Sequence, residues 1–311
     1  MRRLRTPVLL IALSLLVAVL FHLDLLFGDS GFGRVEGVML LQIRLPRALT
    51  ALLVGAALGL GGAQMQAVFR NPLADPHIMG ISAGAGLGAA IAVLLIPGSL
   101  IGLPAGAILG ALATSLLVTA ASGKTRSTGT LLLLGIMLGF ILSAVSALLQ
   151  YSADEVSLKR FYSWAAGSFV GNGPQELWVL AGCLALGGLV AGLNARGLDL
   201  LLFGDDFASA AGGSIRRIRS FSILGVCLMT GAATAFCGPI GFVGIAAPHI
   251  ARRIGGSARS AMVLPLSALC GAAVALFADA LCFLGPLPLP AGSTIALVGI
   301  PVIILILLKK V

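Results

Sequence analysis

Residues 44–69 read RLPRALTALLVGAALGLGGAQMQAVF. Between Arg47 and Arg70 no side chain carries a charge. An α-helix rises about 1.5 Å per residue, so some 20 apolar residues in a row reach across the roughly 30 Å hydrocarbon core of a bilayer. The stretch from 47 to 68 has that length, and it predicts a membrane-crossing helix.

Working outward, the same kind of run recurs along the chain. The predicted segments are 7–27, 47–68, 78–96, 101–121, 130–150, 174–193, 221–237, 241–251, 261–282 and 293–308. The chain has 311 residues, of which 59% are hydrophobic and 10% charged, and its mean hydropathy is +1.09. A soluble domain carries about 25% charged residues, so the apolar surface exceeds what one soluble core can bury, and lipid is the remaining solvent for it. The expected fold class is all-α: a polytopic membrane protein of about ten helices forming one domain over residues 1–311. The opening MRRLRTPVLLIALSLLVAVLF lacks a small-residue cleavage site and reads as the first of these helices. The eighth segment is too short to span alone and is expected as a partial helix, with CGPIGFVG as an irregular lead-in. Such backbone is tolerated only where protein or a cavity surrounds it.

The formal net charge is +9. Nucleic-acid binding needs a clustered basic face, whereas these charges are scattered between apolar runs. With the N-terminus inside, 15 of the 20 Lys and Arg residues fall on the cytoplasmic side; Arg34, Arg44, Arg47, Lys159 and Arg160 fall outside. That asymmetry follows the positive-inside rule and places both termini in the cytoplasm.

Glycines recur every fourth position at Gly80, Gly84 and Gly88 and again at Gly102, Gly106 and Gly110. Residues four apart share a helix face, so each run predicts a smooth groove for a neighbouring helix. The same stretch, GAGLGA, lacks the third Gly of a dinucleotide fingerprint and any βαβ context. SGKT at 122–125 resembles the end of a P-loop, but Val118 stands where its first Gly belongs; the chain is expected to have no ATPase of its own. The five cysteines, Cys183, Cys227, Cys237, Cys270 and Cys282, form no CxxC pair and read as packing residues. His77 and His249 each follow a proline and read as interfacial residues. Ionisable residues inside the apolar runs are few: Asp24 and Asp279 near outer ends, with Gln64 and Gln66 polar but uncharged. That scarcity speaks against a proton-coupled secondary transporter, and no facing Ser/His or Asp pair marks an intramembrane enzyme. Catalytic residues and metal ligands are therefore expected to be absent. Between segments six and seven, Gly204, Asp205, Asp206, Phe207, Ala208, Ser209, Ala210, Ala211 and Gly212 read as a short cytoplasmic helix. It starts with acidic residues at the positive end of its dipole and ends at glycine. It invites a docking partner, and its small-residue face at Ala208 is the expected contact.

Three stretches together resemble one family. RLPRALTALLVGAALGLGGAQMQAVFRNPLADPHIMGISAGAGLGAA (44–90), GPIGFVGIAAPHIARRI (238–254) and PAGSTIALVGIPVIILILLKK near the end are similar, in sequence and order, to the permeases of type II ABC importers for ferric siderophores, haem and cobalamin. The resemblance implies a permease of the bacterial inner membrane that pairs with a second permease subunit, identical or paralogous. It implies two ATP-binding subunits on the cytoplasmic side, using ATP and Mg2+, and a periplasmic or lipid-anchored binding protein outside. This chain itself would bind no cofactor. A ferric siderophore is the expected cargo, with haem or cobalamin as alternatives. Residue by residue, the resemblance places the ATPase-coupling helix at 203–213. It places the cytoplasmic gate at Asn71 and Leu73 in RNPLADP and at Ser127, Thr128 and Gly129, and binding-protein docking at Arg44 and Arg47. Two positions depart. Phe283 occupies a place where the family often has Arg, and Pro288 replaces an acid; Phe283 is expected to give an apolar docking contact instead.

Overall fold

The computed structural model describes residues 2–28, 37–95, 102–125, 127–284 and 288–308. Of the charges used for the orientation, Arg34, Arg126, Lys309 and Lys310 lie outside these. Among the described residues there are thirteen helices and no strand. They are α1 (Arg2–Leu26), α2 (Gly37–Phe69), α3 (Ile81–Leu95), α4 (Leu103–Ser122), α5 (Thr128–Tyr151), α6 (Glu155–Ala165), α7 (Pro174–Leu193), α8 (Ala195–Leu202), α9 (Asp205–Ala210), α10 (Ile215–Cys237), α11 (Val243–Gly255), α12 (Ser260–Cys282) and α13 (Ala291–Leu308).

Seven helices, α1, α2, α4, α5, α7, α10 and α12, are long and apolar enough to cross a membrane. The shorter helices α3, α11 and α13 occupy the other three predicted stretches. Helices α2 and α10 form the centre: 83% and 72% of their apolar windows are buried, against 17% for α1, α5 and α7. The peripheral helices turn large apolar side chains outward; Leu109, Leu116, Leu133, Phe140 and Leu148 are all more than half exposed. Surface of that kind is stable only against lipid or another apolar chain.

The two glycine runs pack on each other. A Cβ added at Gly88 would fall on the Gly106 carbonyl, and one at Gly110 on the Gly84 carbonyl, so α3 and α4 touch backbone to backbone. In lipid, where no hydrophobic force draws helices together, this close van der Waals approach is the source of their attraction.

Helix α2 begins ten residues earlier than the sequence suggested. A π-helical turn at Leu40–Arg44 carries it through both arginines. The physical reason is that Arg44 and Arg47 turn inward to acceptors inside the protein and do not halt the helix at a water boundary. Helix α11, with 13 residues, covers only about 20 Å, short of a crossing as expected. Its lead-in bends at Gly238 (φ 72°) and at Phe242, which holds a left-handed φ of 69°. The loose carbonyls there meet protein donors: Ile240 accepts from His77 Nε2 at 2.7 Å, and Cys237 from the Ser168 amide at 2.9 Å. Helix α6 was not foreseen. Asp154 caps it, its carboxylate accepting from the Ser157 amide at 3.0 Å, and that bond holds the Asp154 carboxyl below its ordinary pKa. All five cysteines are free thiols, four of them buried.

Candidate functional site

The residues expected to form the gate occupy two places, a loop and the start of a helix that packs on that loop further along. One is the loop after α2. Arg70 closes that helix in a left-handed conformation (φ 49°), and the Asn71 side-chain oxygen accepts from the Leu73 amide at 2.9 Å, a turn that asparagine forms readily. Leu73 is thereby left 45% exposed. Asp75 then caps the short turn Pro76–Met79 by accepting from the His77 amide at 2.9 Å. The loop is tied down from α11, where His249 Nε2 donates to the Pro72 carbonyl at 3.0 Å. His77 ties it to Ile240 as described and also bonds Ser82. Both histidines are thus structural ties. Pro76 starts a short helical turn, whereas Pro248 sits inside α11.

The other place is the start of α5. Ser127 is its cap residue; Ser127 and Gly129 are exposed and Thr128 is buried. Helix α5 lies against the Asn71–Gly80 loop because Gly135 admits the backbone of Met79: a Cβ there would come within 3.1 Å of the Met79 Cα.

Below this point lies α9. Gly204, with φ 108°, makes the sharp entry that a side chain would disfavour. Asp205 Oδ2 accepts from Arg219 Nη2 at 2.6 Å. Arg219 lies one turn into α10, is 2% exposed, and also donates to Thr128 Oγ1. Asp205 Oδ1 is 3.9 Å from Arg70 Nη2. Asp206, Ser209, Ala210, Ala211 and Gly212 are exposed, and Phe203 and Phe207, 73% and 51% exposed, meet at a tilt of 49° with ring centroids 5.2 Å apart. Ala208 is fully buried, and its carbonyl accepts from the Gly213 amide at 2.8 Å. Ala208 therefore turns into the protein, and Phe207 projects from the outward face of α9 with Asp206, Ser209 and Ala210.

Arg44, Arg47 and Phe283 come together at the opposite end, inside the protein. Arg47 Nε is 2.9 Å from Asp279 Oδ2. Its Nη2 donates to the Asp24 carbonyl at 2.9 Å and the Phe27 carbonyl at 2.8 Å, and lies 3.4 Å from Asp24 Oδ1. Its guanidinium stacks 4.0 Å above the Phe283 ring. Arg44 Nη1 donates to the Leu25 carbonyl at 3.0 Å. Arg44 and Arg47 are 2% and 3% exposed; they pin α1, α2 and α12 together and present little charge at the surface. Phe283 is buried beneath Arg47 and does not face lipid. These residues line a cavity of about 330 Å³ with Gly28, Met39, Ile43 and Val170.

The sequence places Asp24 and Asp279 near the outer ends of their segments and does not show that they meet. Their meeting point with Arg47 joins three helices and has no local pattern. Sequence reading also missed a second junction, in which the Gln66 carboxamide oxygen accepts from Arg252 Nη1 at 2.5 Å while its nitrogen lies 3.4 Å from the Gly244 and Ile245 carbonyls. The pattern that could have found it is a glutamine inside an apolar helix, which must find a polar partner.

Comparison with known proteins gives a consistent result. The FecCD transport family matches residues 7–309. The vitamin B12 import system permease protein BtuC of Citrobacter koseri is 37% identical over 309 residues, covering 96% of this chain and 93% of that protein. That of Vibrio cholerae is 37% identical over 318 residues, covering 98% and 94%. A solved structure described as an inward-facing conformation of a metal-chelate type ABC transporter superposes with a TM-score of 0.89 at 32% identity, covering 97% of this chain and 99% of that one. PsaBC from Streptococcus pneumoniae, in complex with Fab, superposes at 0.57 with 17% identity and shares the fold.

Proposed function

We propose, from the premise that the chain belongs to the FecCD transport family, a specific division of labour for this permease. It is a multi-pass membrane protein of the metal-chelate and vitamin B12 type of ABC importer, here read as one permease domain over residues 1–311. It works with a second permease copy or paralogue, two ATP-binding subunits on the side of α9, and a binding protein at the opposite mouth. Both termini lie in the cytoplasm of the inner membrane, as the distribution of Lys and Arg supports. The chain holds no cofactor; the ATPase partners use ATP and Mg2+.

The observation that carries this reading is the exposed Phe203–Phe207 pair on a helix pinned to the bundle. Aromatic side chains that project from a rigid element into water are the kind of anchor that dominates protein interfaces. Two such rings beside the residues matching the family's gate fit the coupling contact of an ATPase. Asn71, Leu73, Ser127, Thr128 and Gly129 form the gate, with Leu73 as its plug and the small residues as its hydrated edge. At the other end, α1, α2 and α12 form the docking corner for the binding protein. Arg44, Arg47 and Phe283 shape that corner from within, so its docking depends weakly on salt.

The cargo is a bulky metal chelate; a ferric siderophore is the first reading by the wider family, with haem behind it. Cobalamin is the second reading, favoured by the 37% identity to the vitamin B12 permeases. Proteoliposomes holding the assembled transporter and its binding protein decide between them. Uptake of radiolabelled cobalamin without uptake of ferric siderophores or haem would establish the second reading and overturn the first.

A further inference from the structure

One carboxylate is linked through two arginines to both halves of the gate. Asp205, the first residue of α9, accepts from Arg219 at 2.6 Å and faces Arg70 at 3.9 Å. Arg70 immediately precedes Asn71. Arg219 also donates to Thr128, the first residue of α5. We propose that Asp205 is the point at which movement of α9 reaches both gate elements, and that Arg219 is the positioning residue carrying it to Thr128. This rests on the reading of α9 as the ATPase contact and of 71–73 and 127–129 as the gate.

The two contacts of Asp205 differ in stiffness. The Arg70 and Asp205 side chains are 42% and 28% exposed, and an ion pair so exposed and so long is loosened by water and salt. The Arg219 side chain is 3% exposed, and its bond to Asp205 is short and charge-assisted on both sides. Pulling Asp205 away would take its carboxylate from a buried guanidinium, which is costly. Arg219 is rooted on α10, one of the two central helices, so it has little freedom to follow. Displacing α9 must therefore break the contact or shift the guanidinium, and either event alters the donor at Thr128 Oγ1. The loose Arg70 contact permits movement of the Asn71–Leu73 loop, and the stiff one drives the start of α5. A merely structural staple would stabilise the loop without making gate exposure depend on nucleotide.

The test uses the assembled transporter in nanodiscs. Ser127→Cys is placed in a background with the five native cysteines replaced, and its maleimide labelling is measured with and without ATP. The expected result is a nucleotide-dependent labelling rate that becomes nucleotide-independent in Arg219→Gln, while the ATPase subunits still co-purify. The ATP hydrolysed per substrate imported should rise roughly tenfold in that variant, as for loss of a typical coupling between sites. Arg219→Lys keeps the charge but has no planar fork and should restore part of the response. Should Arg219→Gln fail to insert, Thr128→Val, which removes only the hydroxyl, decides. A labelling rate that still depends on nucleotide in either variant overturns the relay. Absence of nucleotide dependence in the parent, or no ATPase co-purification, overturns the functional reading instead.

Discussion

Replacing Arg47 by Met tests whether this arginine is an internal pin. The guanidinium is 3% exposed and serves two carboxylates, Asp24 at 0% and Asp279 at 2% exposure. It lies 2.9 Å from Asp279 Oδ2 and 3.4 Å from Asp24 Oδ1. Met keeps much of the linear stem, so the packing loss is small, but the two buried acids lose their cation. Removing one partner of a buried ion pair costs about 3–5 kcal/mol, and the lost stacking on Phe283 adds up to about 2 kcal/mol. Against a total stability of roughly 5–15 kcal/mol this is a large share, and 3–5 kcal/mol lowers the folded-to-unfolded ratio by about two to three and a half orders of magnitude. Equilibrium unfolding in mixed micelles would measure it. Adding Asp24→Asn and Asp279→Asn to Arg47→Met should recover most of the loss, because a buried charge cluster replaced as a whole is often near neutral in stability. Binding-protein association should keep its salt dependence in the triple variant. A cost below about 0.5 kcal/mol for Arg47→Met, the range of ordinary surface changes, would refute the pin. So would a triple variant no more stable than the single one.

Three further outcomes are expected. Phe207→Glu should cut ATPase-subunit association by about tenfold or more, as expected for an interface anchor, while leaving insertion and thermal stability near the parent's; unchanged co-purification would remove α9 as the contact. Gly88→Leu forces a side chain onto the Gly106 carbonyl and should destabilise the α3–α4 pair by about 1–3 kcal/mol or more, whereas Gly86→Ala, where a Cβ meets open space, should change stability by less than about 1 kcal/mol. With native cysteines replaced, Ala258→Cys should label from the cytoplasm and Lys159→Cys from outside; the reverse pattern would invert the topology.

The architecture was legible wherever it depends on a single segment. Runs such as 47–68 announce a crossing because lipid tolerates no charge over that length, and the two glycine stripes announce a close approach because four-residue spacing defines a face. The short α11 was visible as 241–251 for the same reason. Features that depend on two or more distant segments were not legible. Arg44 and Arg47 read as a water boundary because nothing local to RLPR reveals Asp24 and Asp279 as neighbours. Ala208 read as an outer face because six residues do not show which side the bundle covers. The contact of Phe203 with Phe207 straddles the start of α9, across the turn at Gly204. Helix α6 went unseen because its amphipathic face is too short to register beside the long apolar runs, although Asp154 three residues before Ser157 is a cap signal. The family's gate positions could be carried onto RNPLADP and Ser127–Gly129 by resemblance, but their link through Arg219 and Asp205 appears only once α9, α10 and α5 are brought together.

ATP-driven uptake in sealed proteoliposomes, with and without the ATPase subunits, is the most direct measurement. The expected result is accumulation of the chelate that requires the ATPase subunits and hydrolysable ATP and persists when a protonophore collapses the proton gradient. Accumulation by this chain alone, driven by a proton gradient and indifferent to ATP, would contradict the assignment as an ABC importer permease.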